Sequence, residues 1–359
     1  MPTPVPPDLD GAEPYEDIRI RIGPRSGLPV IVAVHSTVRG RAIGGCRIAH
    51  YPRWQDGLTD ALRLSAAMTA KCAVAGLPHG GGKVVVAVAE DTALTGARRR
   101  AVLHDVGDAI AALDGAYATG PDVGTGPDDM TTIAERTPYV FCRPPERGGS
   151  GDSSGHTAAG VLAALRAVCA ERFAAPLAAH RFAVVGLGRV GGQLARLLAA
   201  AGAELVVSDI DPAGRRLAGE LGAAWVDPAD ALRAPVDVLV PAALGGVLTP
   251  VTVPLLRCAA VAGPANNQLD APATADLLHR RGILWAPDFV VSAGGVIHAT
   301  AVELGGRTGE EAARLVTGIE DTLAGVLTAA RTAGTSPMAA ALALARRRTA
   351  PRPAEVSHS

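Results

Sequence analysis

The chain has 359 residues, enough for two domains, and with 48% apolar and 19% charged residues it has material for buried cores rather than a disordered coil. Thirty-four cationic side chains against 35 acidic ones leave a net charge of -1, which excludes the basic excess of a nucleic-acid or anionic-membrane surface. Five cysteines (Cys46, Cys72, Cys142, Cys169, Cys258) without a CxxC pair give neither a disulfide framework nor a zinc ribbon. They read as small hydrophobes in a reducing, cytoplasmic compartment.

Residues 1–14 carry prolines at 2, 4, 6, 7 and 14 and no apolar core, so they read as a loose tail rather than a secretory signal. Residues 17–22 alternate apolar and charged side chains and 29–35 form an apolar run, giving two strands, with a third over 42–49. Apolar positions at helical spacing predict an amphipathic helix over 54–70 whose end carries Lys71. A connection then passes through Gly80-Gly81-Gly82-Lys83 to a strand over 84–88, and a helix over 98–113 and a short strand at Tyr117 lead into a loop over 119–124. Residues 144–155 are the most turn-rich stretch, placing a domain boundary at 145/146.

Beyond it, a helix over 157–173 precedes alternating strands (182–186, 204–208, 237–240, 258–262, 283–285) and helices (189–201, 212–221), the rhythm of a doubly wound parallel sheet. The uncharged run Val238–Leu256 is broken by Pro241, Gly245, Gly246, Pro250 and Pro254, so it reads as a strand and loops and not as a membrane span. The fold class is therefore α/β: a mixed α/β domain over 1–145 and a Rossmann-type domain over 146–317. Helices from about 318 to 359 are expected to pack back on the first domain, with an Arg/Pro-rich tail fraying from Arg346.

All but two of the cationic residues are arginine; the exceptions are Lys71 and Lys83. A desolvated lysine can lose its proton and serve as base or nucleophile, which arginine cannot, so a chain that uses arginine wherever charge suffices has a chemical reason to keep a lysine. The bland alternative is two leftover surface lysines. Gly186-Leu187-Gly188-Arg189-Val190-Gly191 matches GxGxxG between a strand and a helix, with Asp209 ending the next strand. That context places a pyrophosphate on the helix N-terminus and a ribose hydroxyl on the carboxylate. Asp209, backed by Asp211, would repel a 2′-phosphate and so favours NAD over NADP. On local grounds Asp122 is equally a turn residue after Pro121, and Asn266-Asn267 could cap a turn. The nine histidines form no HxxxH or His/Cys cluster, so no metal is expected.

The blocks Ala42-Ile43-Gly44-Gly45, Asp60–Ser65, Met68-Thr69-Ala70-Lys71, Gly80–Lys83, Gly120–Thr125, Gly151–Ser154, the dinucleotide loop, Ala262–Leu269, Ala286-Pro287-Asp288 and Ala293–Val296 stand in an order and spacing that is highly specific. Over 30–345 the chain resembles the Leu/Phe/Val amino-acid dehydrogenases of the glutamate dehydrogenase superfamily. The resemblance implies oxidative deamination of an L-amino acid to a 2-oxo acid and ammonia with NAD as hydride acceptor. It puts Lys71 on the substrate carboxylate with Gly44, Met68 and Asn266 nearby, Lys83 as general base toward water, and Asp122 on the substrate amine as proton shuttle. Ile43, Gly120 and Val296 would line the side-chain pocket; Gly186, Gly188, Val190, Gly191, Asp209, Ser153, Thr157, Ala243, Asn266 and Ser292 would contact the cofactor. Branched Ile43 and Val296 point to valine, leucine or isoleucine, with phenylalanine as the alternative.

Relatives acting on glutamate use an additional lysine that this chain lacks. Ser292 stands where relatives carry Asn, Ala242 where they carry Cys, and Pro264 where they carry Ala. Ser292 could loosen the nicotinamide and is the best support for the competing reading, a non-catalytic dinucleotide sensor or scaffold. The implied assembly is a homo-oligomer, dimer or octamer, formed through the first domain's sheet, with no nucleic-acid or membrane partner.

Overall fold

A computed structural model describes residues 15–90 and 92–350, and the chain divides into two compact units: one up to Asp152 together with the segment from Ala345, the other Ser153–Leu344. The proline-rich segment before residue 15 and the tail beyond 350 lie outside the described residues.

The first unit is a five-stranded mixed sheet of β1 (Asp17–Ile22), β2 (Pro29–Ser36), β3 (Ala42–His50), β4 (Gly80–Val88) and β5 (Tyr117–Pro121), ordered β1-β2-β4-β3-β5. β2 runs antiparallel to β1 and β4, whereas β3 is parallel to both β4 and β5. Helix α1 (Trp54–Val74) covers one face through Ala61 and Leu62 against Ile31, Ala33 and Val85. Helices α2 (Gly96–Ala111) and α3 (Pro127–Ala134) cover the other, where Val102, Val106, Ile110, Met130 and Ile133 meet Val32, Val84 and Val86. With both faces covered, β4 is buried along its whole length, and period-two alternation sends Val84 and Val86 to one side, Lys83 and Val85 to the other.

Two sequence expectations change here. The triple glycine is strand rather than connection: β4 begins at Gly80, because a Cβ at Gly81 would run into Ser65 and Thr69 of α1 and one at Gly82 would come within 2.5 Å of the Tyr117 ring. These glycines serve close helix–strand approach, not flexibility. Likewise Thr119, Gly120 and Pro121 are the end of β5, and the loop starts only at Asp122. Helix α3 goes unforeseen, although Pro127 at its first turn and the Gly126 N–H donated to Asp129 Oδ2 (2.9 Å) are ordinary start signals.

The second unit holds α4 (Ser154–Phe173), β6 (Arg181–Val185), α5 (Arg189–Ala200), β7 (Glu204–Ser208), α6 (Gly214–Leu221), β8 (Ala224–Trp225), β9 (Val238–Pro241), β10 (Ala260–Val261), α7 (Ala273–Arg280), β11 (Leu284–Trp285), α8 (Asp288–Val291), α9 (Gly294–Glu303), α10 (Gly309–Thr317), α11 (Ile319–Ala333) and α12 (Pro337–Thr349) as far as Leu344. Its six strands are all parallel in the order β11-β10-β9-β6-β7-β8. The order reverses between β6 and β9, so a crevice opens at the carboxyl ends of those two strands. The run Val238–Leu256 is β9 followed by loops and a short 3₁₀ turn, and among the described residues no helix is long and apolar enough to cross a membrane.

The C-terminal expectations are corrected as well. Helix α11 buries Ile319, Leu323, Val326, Leu327 and Ala330 at helical spacing and packs against α4, so it stays with the second unit; only the segment from Ala345 joins the first. Arg346–Thr349 is helical rather than frayed. Arg348 Nη1 donates to the carbonyls of Ala73 (3.0 Å) and Val74 (2.7 Å) at the end of α1, and its own carbonyl accepts from Arg39 Nη1 (2.9 Å), which satisfies groups a helix end leaves open.

Candidate active site

In the first unit, Lys83 sits on the α1 side of β4 with 5% of its surface exposed, where an amine needs a partner. That partner is Asp122: Lys83 Nζ lies 2.7 Å from Asp122 Oδ2. Gly45, on the neighbouring β3, leaves the room, since a Cβ there would stand 3.2 Å from Lys83 Nζ and 2.7 Å from Asp122 Cβ. Asp122 is fixed in turn by its N–H donating to Thr125 Oγ1 (3.0 Å), and Thr125 Oγ1 donates to the Cys46 carbonyl (2.7 Å).

A second cation stands on the same carboxylate oxygen. Arg47 Nε donates to Asp122 Oδ2 (2.9 Å) while its Nη1 donates to Asp60 Oδ2 (2.7 Å). Asp60 also accepts from the Tyr51 hydroxyl (2.7 Å) and from Arg63 Nη2 (2.7 Å). Burial by itself would raise the Asp122 pKa, but the Lys83 ammonium and the Arg47 guanidinium outweigh it and hold the carboxyl at about 2. Burial likewise works against the Arg47 charge, and Asp122 and Asp60 override it and push that pKa up.

The remaining first-unit candidates are placed as follows. Lys71 lies in the last turn of α1, half-buried, where a cation is favoured by the helix dipole, and Met68 is half-buried one turn before it. Gly44 is buried on β3, and a Cβ there would strike the Gly82 carbonyl. Ile43 is fully buried on the same strand. Gly120 backs onto Phe141, whose ring a Cβ would approach to 2.5 Å.

In the second unit, the candidates gather at the carboxyl ends of β6 and β9. Gly186 follows β6 at φ +107°, a value only glycine adopts comfortably, and a Cβ there would lie 2.7 Å from the Cβ of Ala243, just past β9. Gly188 caps α5 with open space around it, while a Cβ at Gly191 would run into the Gly186 carbonyl and lie 3.0 Å from Ala242 Cβ. Val190 is half-buried in the first turn of α5. Asp209, directly after β7, accepts the N–H of Leu187 (2.5 Å) and of Asp211 (2.8 Å). The result is a turn that lets a ligand come close to backbone N–H groups at a helix N-terminus, with a carboxylate beside it, and this fits a dinucleotide.

Asn266 belongs to a loop pinned from below by Gln268. The Gln268 amide donates to the carbonyls of Gly263 (2.8 Å) and Ala265 (3.1 Å), its carbonyl accepts from Trp285 Nε1 (3.0 Å), and its backbone N–H reaches Asp288 Oδ2 (2.9 Å). Ser292 places its hydroxyl 3.3 Å from Asn266 Oδ1. Ser153 caps α4 and Thr157 follows one turn on, with their hydroxyls 2.9 and 2.7 Å from where a Gly295 Cβ would stand. Val296, next along α9, is half-buried. Sequence reasoning left Arg47, Tyr51 and Gln268 without a role; Asp60 was visible only as part of a matching block.

Residues 18–139 match the Glu/Leu/Phe/Val dehydrogenase dimerisation domain, and residues 214–351 match the Glutamate/Leucine/Phenylalanine/Valine dehydrogenase domain. The chain is 39% identical to leucine dehydrogenase of Geobacillus stearothermophilus over 88% of its own length and 86% of the relative's. It is 39% identical to valine dehydrogenase of Streptomyces coelicolor over 91% of each. The crystal structure of L-tryptophan dehydrogenase from Nostoc punctiforme superposes with a TM-score of 0.79 at 35% identity, covering 93% of this chain and 96% of that one. The chain belongs to the Glu/Leu/Phe/Val dehydrogenase family. That family catalyses reversible oxidative deamination, and the chain is an oxidoreductase of the amino-acid dehydrogenase class with a nucleotide-binding domain.

Proposed function

We propose that this enzyme oxidatively deaminates branched-chain L-amino acids to 2-oxo acids and ammonia with NAD. The observation that carries this reading is the buried Lys83–Asp122 ion pair at 2.7 Å, built from one of only two lysines in the chain. A bare scaffold has no use for a buried, proton-carrying pair. The nicotinamide supplies the hydride acceptor for the substrate's α-carbon.

The other steps fall to this chain's side chains. Lys71 binds the substrate carboxylate as an ammonium, with Gly44 and Met68 assisting; Asn266, in the second unit, is given a part in that binding by the family resemblance. Asp122 holds the substrate amine and carries its proton. Lys83 takes a proton from the water that attacks the iminium carbon, and for this it must enter the step as a neutral amine. Gly186, Gly188, Val190, Gly191, Ala243, Ser153, Thr157, Asn266 and Ser292 hold the cofactor, and Asp209 accepts from its ribose, opposing a 2′-phosphate.

Ile43, Gly120 and Val296 carry neither charge nor hydrogen-bonding side chain for a substrate, which supports an apolar one. A glutamate side chain would need a cation, and no third lysine exists to provide it. The proposed assembly is a homo-oligomer; the match to a domain named for dimerisation and the exposed row Ile18, Ile20 and Ile22 on edge strand β1 support it. A cytoplasmic setting accords with five free cysteines. The test is NADH absorbance with a panel of L-amino acids: valine, leucine and isoleucine should respond most, and NAD binding without response to any amino acid would establish the sensor reading instead.

A further inference from the structure

We infer that Arg47 is a positioning residue for the deamination: by bridging Asp122 and Asp60 it orients the Asp122 carboxylate toward substrate. The inference rests on the reading just proposed and adds a residue to it. Asp122 has two carboxylate oxygens, and both cations that reach it, Lys83 Nζ and Arg47 Nε, stand on Oδ2. Oδ1 receives neither of these bonds, so the geometry directs it to the substrate amine.

A guanidinium is suited to this as an ammonium is not. Its fork is planar and rigid, and Nε and Nη1 span Asp122 and Asp60 at 2.9 and 2.7 Å at once. Asp60 is itself held by the Tyr51 hydroxyl and Arg63, both at 2.7 Å. The carboxylate that handles the proton is thereby tied through Arg47 to the loop after β3 and to α1, the helix that carries Lys71. Arg47 also sets charge: its guanidinium is one of the two cations that hold the Asp122 carboxyl low, so without it the Asp122 pKa rises.

The test compares Arg47→Gln, Arg47→Lys and Tyr51→Phe with the unaltered enzyme, measuring kcat, KM for leucine, the pH profile of kcat/KM and the melting temperature. In Arg47→Gln the acid limb of the profile should move up by about one pH unit with kcat down roughly 10- to 100-fold. Arg47→Lys keeps the charge and loses the fork, so the limb should stay while kcat still falls; Tyr51→Phe should show a smaller drop in kcat. A lowered melting temperature with kcat and the limb unchanged would make Arg47 merely structural and overturn the inference. Should Arg47→Gln not fold, the other two variants decide: wild-type turnover in both overturns the inference, and reduced kcat with an unmoved limb in Arg47→Lys upholds it. No deamination by the unaltered chain with any amino acid sinks the functional reading, and this inference with it.

Discussion

The two units solve the placement of charge in opposite ways. The first buries its chemistry: Lys83, Asp122, Arg47 and Asp60 form an alternating chain of charges against a sheet whose glycines leave the room. The second builds its site from backbone, a strained glycine turn and a helix N-terminus at the sheet's switch point, with Asp209 as the carboxylate at the end of β7. Side-chain chemistry in a low-dielectric setting is sensitive to one atom and one proton, whereas a backbone cradle is sensitive to one methyl group. Substitutions should therefore fail differently in the two units.

The largest effect belongs to the buried side. Lys83→Arg keeps the charge but puts a group that cannot be neutral in the place of the proposed base, so deamination should fall by about 10³-fold or more while NADH binding, read by fluorescence, stays within about twofold. Near-normal turnover would take Lys83 out of the chemistry. Lys71→Ala should act chiefly as a rise in KM for the amino acid, because it removes a binding charge rather than a proton carrier. Acid sensitivity has the same origin. Asp122 is held at about 2 against about 3.9 for a free carboxyl, so its contribution to stability is present above the higher value and lost as pH falls toward the lower.

On the backbone side, Gly191→Ala would drive a Cβ into the Gly186 carbonyl, with no flexible side chain to yield. NADH affinity should drop by about tenfold or more, from an overpacking strain of ~1–3 kcal/mol, while the Lys83–Asp122 pair is untouched. A variant that binds NADH normally would show that the loop is not the cofactor cradle.

The same contrast explains what could be read from the sequence. The dinucleotide turn was legible because its geometry is local: glycines, a helix start and an acidic residue at the next strand end lie within one strand–helix–strand unit. Lys83 stood out by the scarcity of lysine, whereas Asp122 became a candidate only through resemblance, since local spacing alone leaves it a turn residue, and nothing in the sequence told that the two pair. Arg47 was not legible at all; a charged residue in a buried strand is unusual, but nothing local says that its partners are Asp60 in the next helix and Asp122 after β5. The triple glycine misled for a related reason. Its composition reads as a loop, and only the approach of α1 and Tyr117 shows that small size, not flexibility, is what the strand needs.

A smaller effect is expected at Asp209. Its carboxylate does two things, bonding the N–H groups of Leu187 and Asp211 and presenting negative charge where a 2′-phosphate would come. Asp209→Ala removes both, so the preference for NAD over NADP should narrow by about tenfold or more while KM for NAD itself rises as the turn loosens. Equal rates with the two cofactors in the unaltered enzyme would show that the carboxylate does not face the ribose.

The smallest expected effect concerns the substrate side chain. Val296 is half-buried on α9 and held by ordinary helical packing, with the Thr300 hydroxyl bonded to its carbonyl (2.7 Å), so Val296→Ala removes two methyl groups without disturbing the helix. Gly120 gives no comparable freedom, since Phe141 stands where any side chain would go, and Ile43 is locked into the core of its strand. Of the three residues proposed to line the pocket, Val296 is therefore the one that can be trimmed to admit a ring. One or two methylenes discriminate by only about 1–3 kcal/mol, so kcat/KM for phenylalanine relative to leucine should rise by a few-fold to about a hundredfold, measured on the purified enzyme with both substrates. An unchanged ratio would place Val296 away from the side chain. If the unaltered enzyme already favours phenylalanine over valine, leucine and isoleucine, the pocket assignment is wrong and a phenylalanine dehydrogenase takes its place.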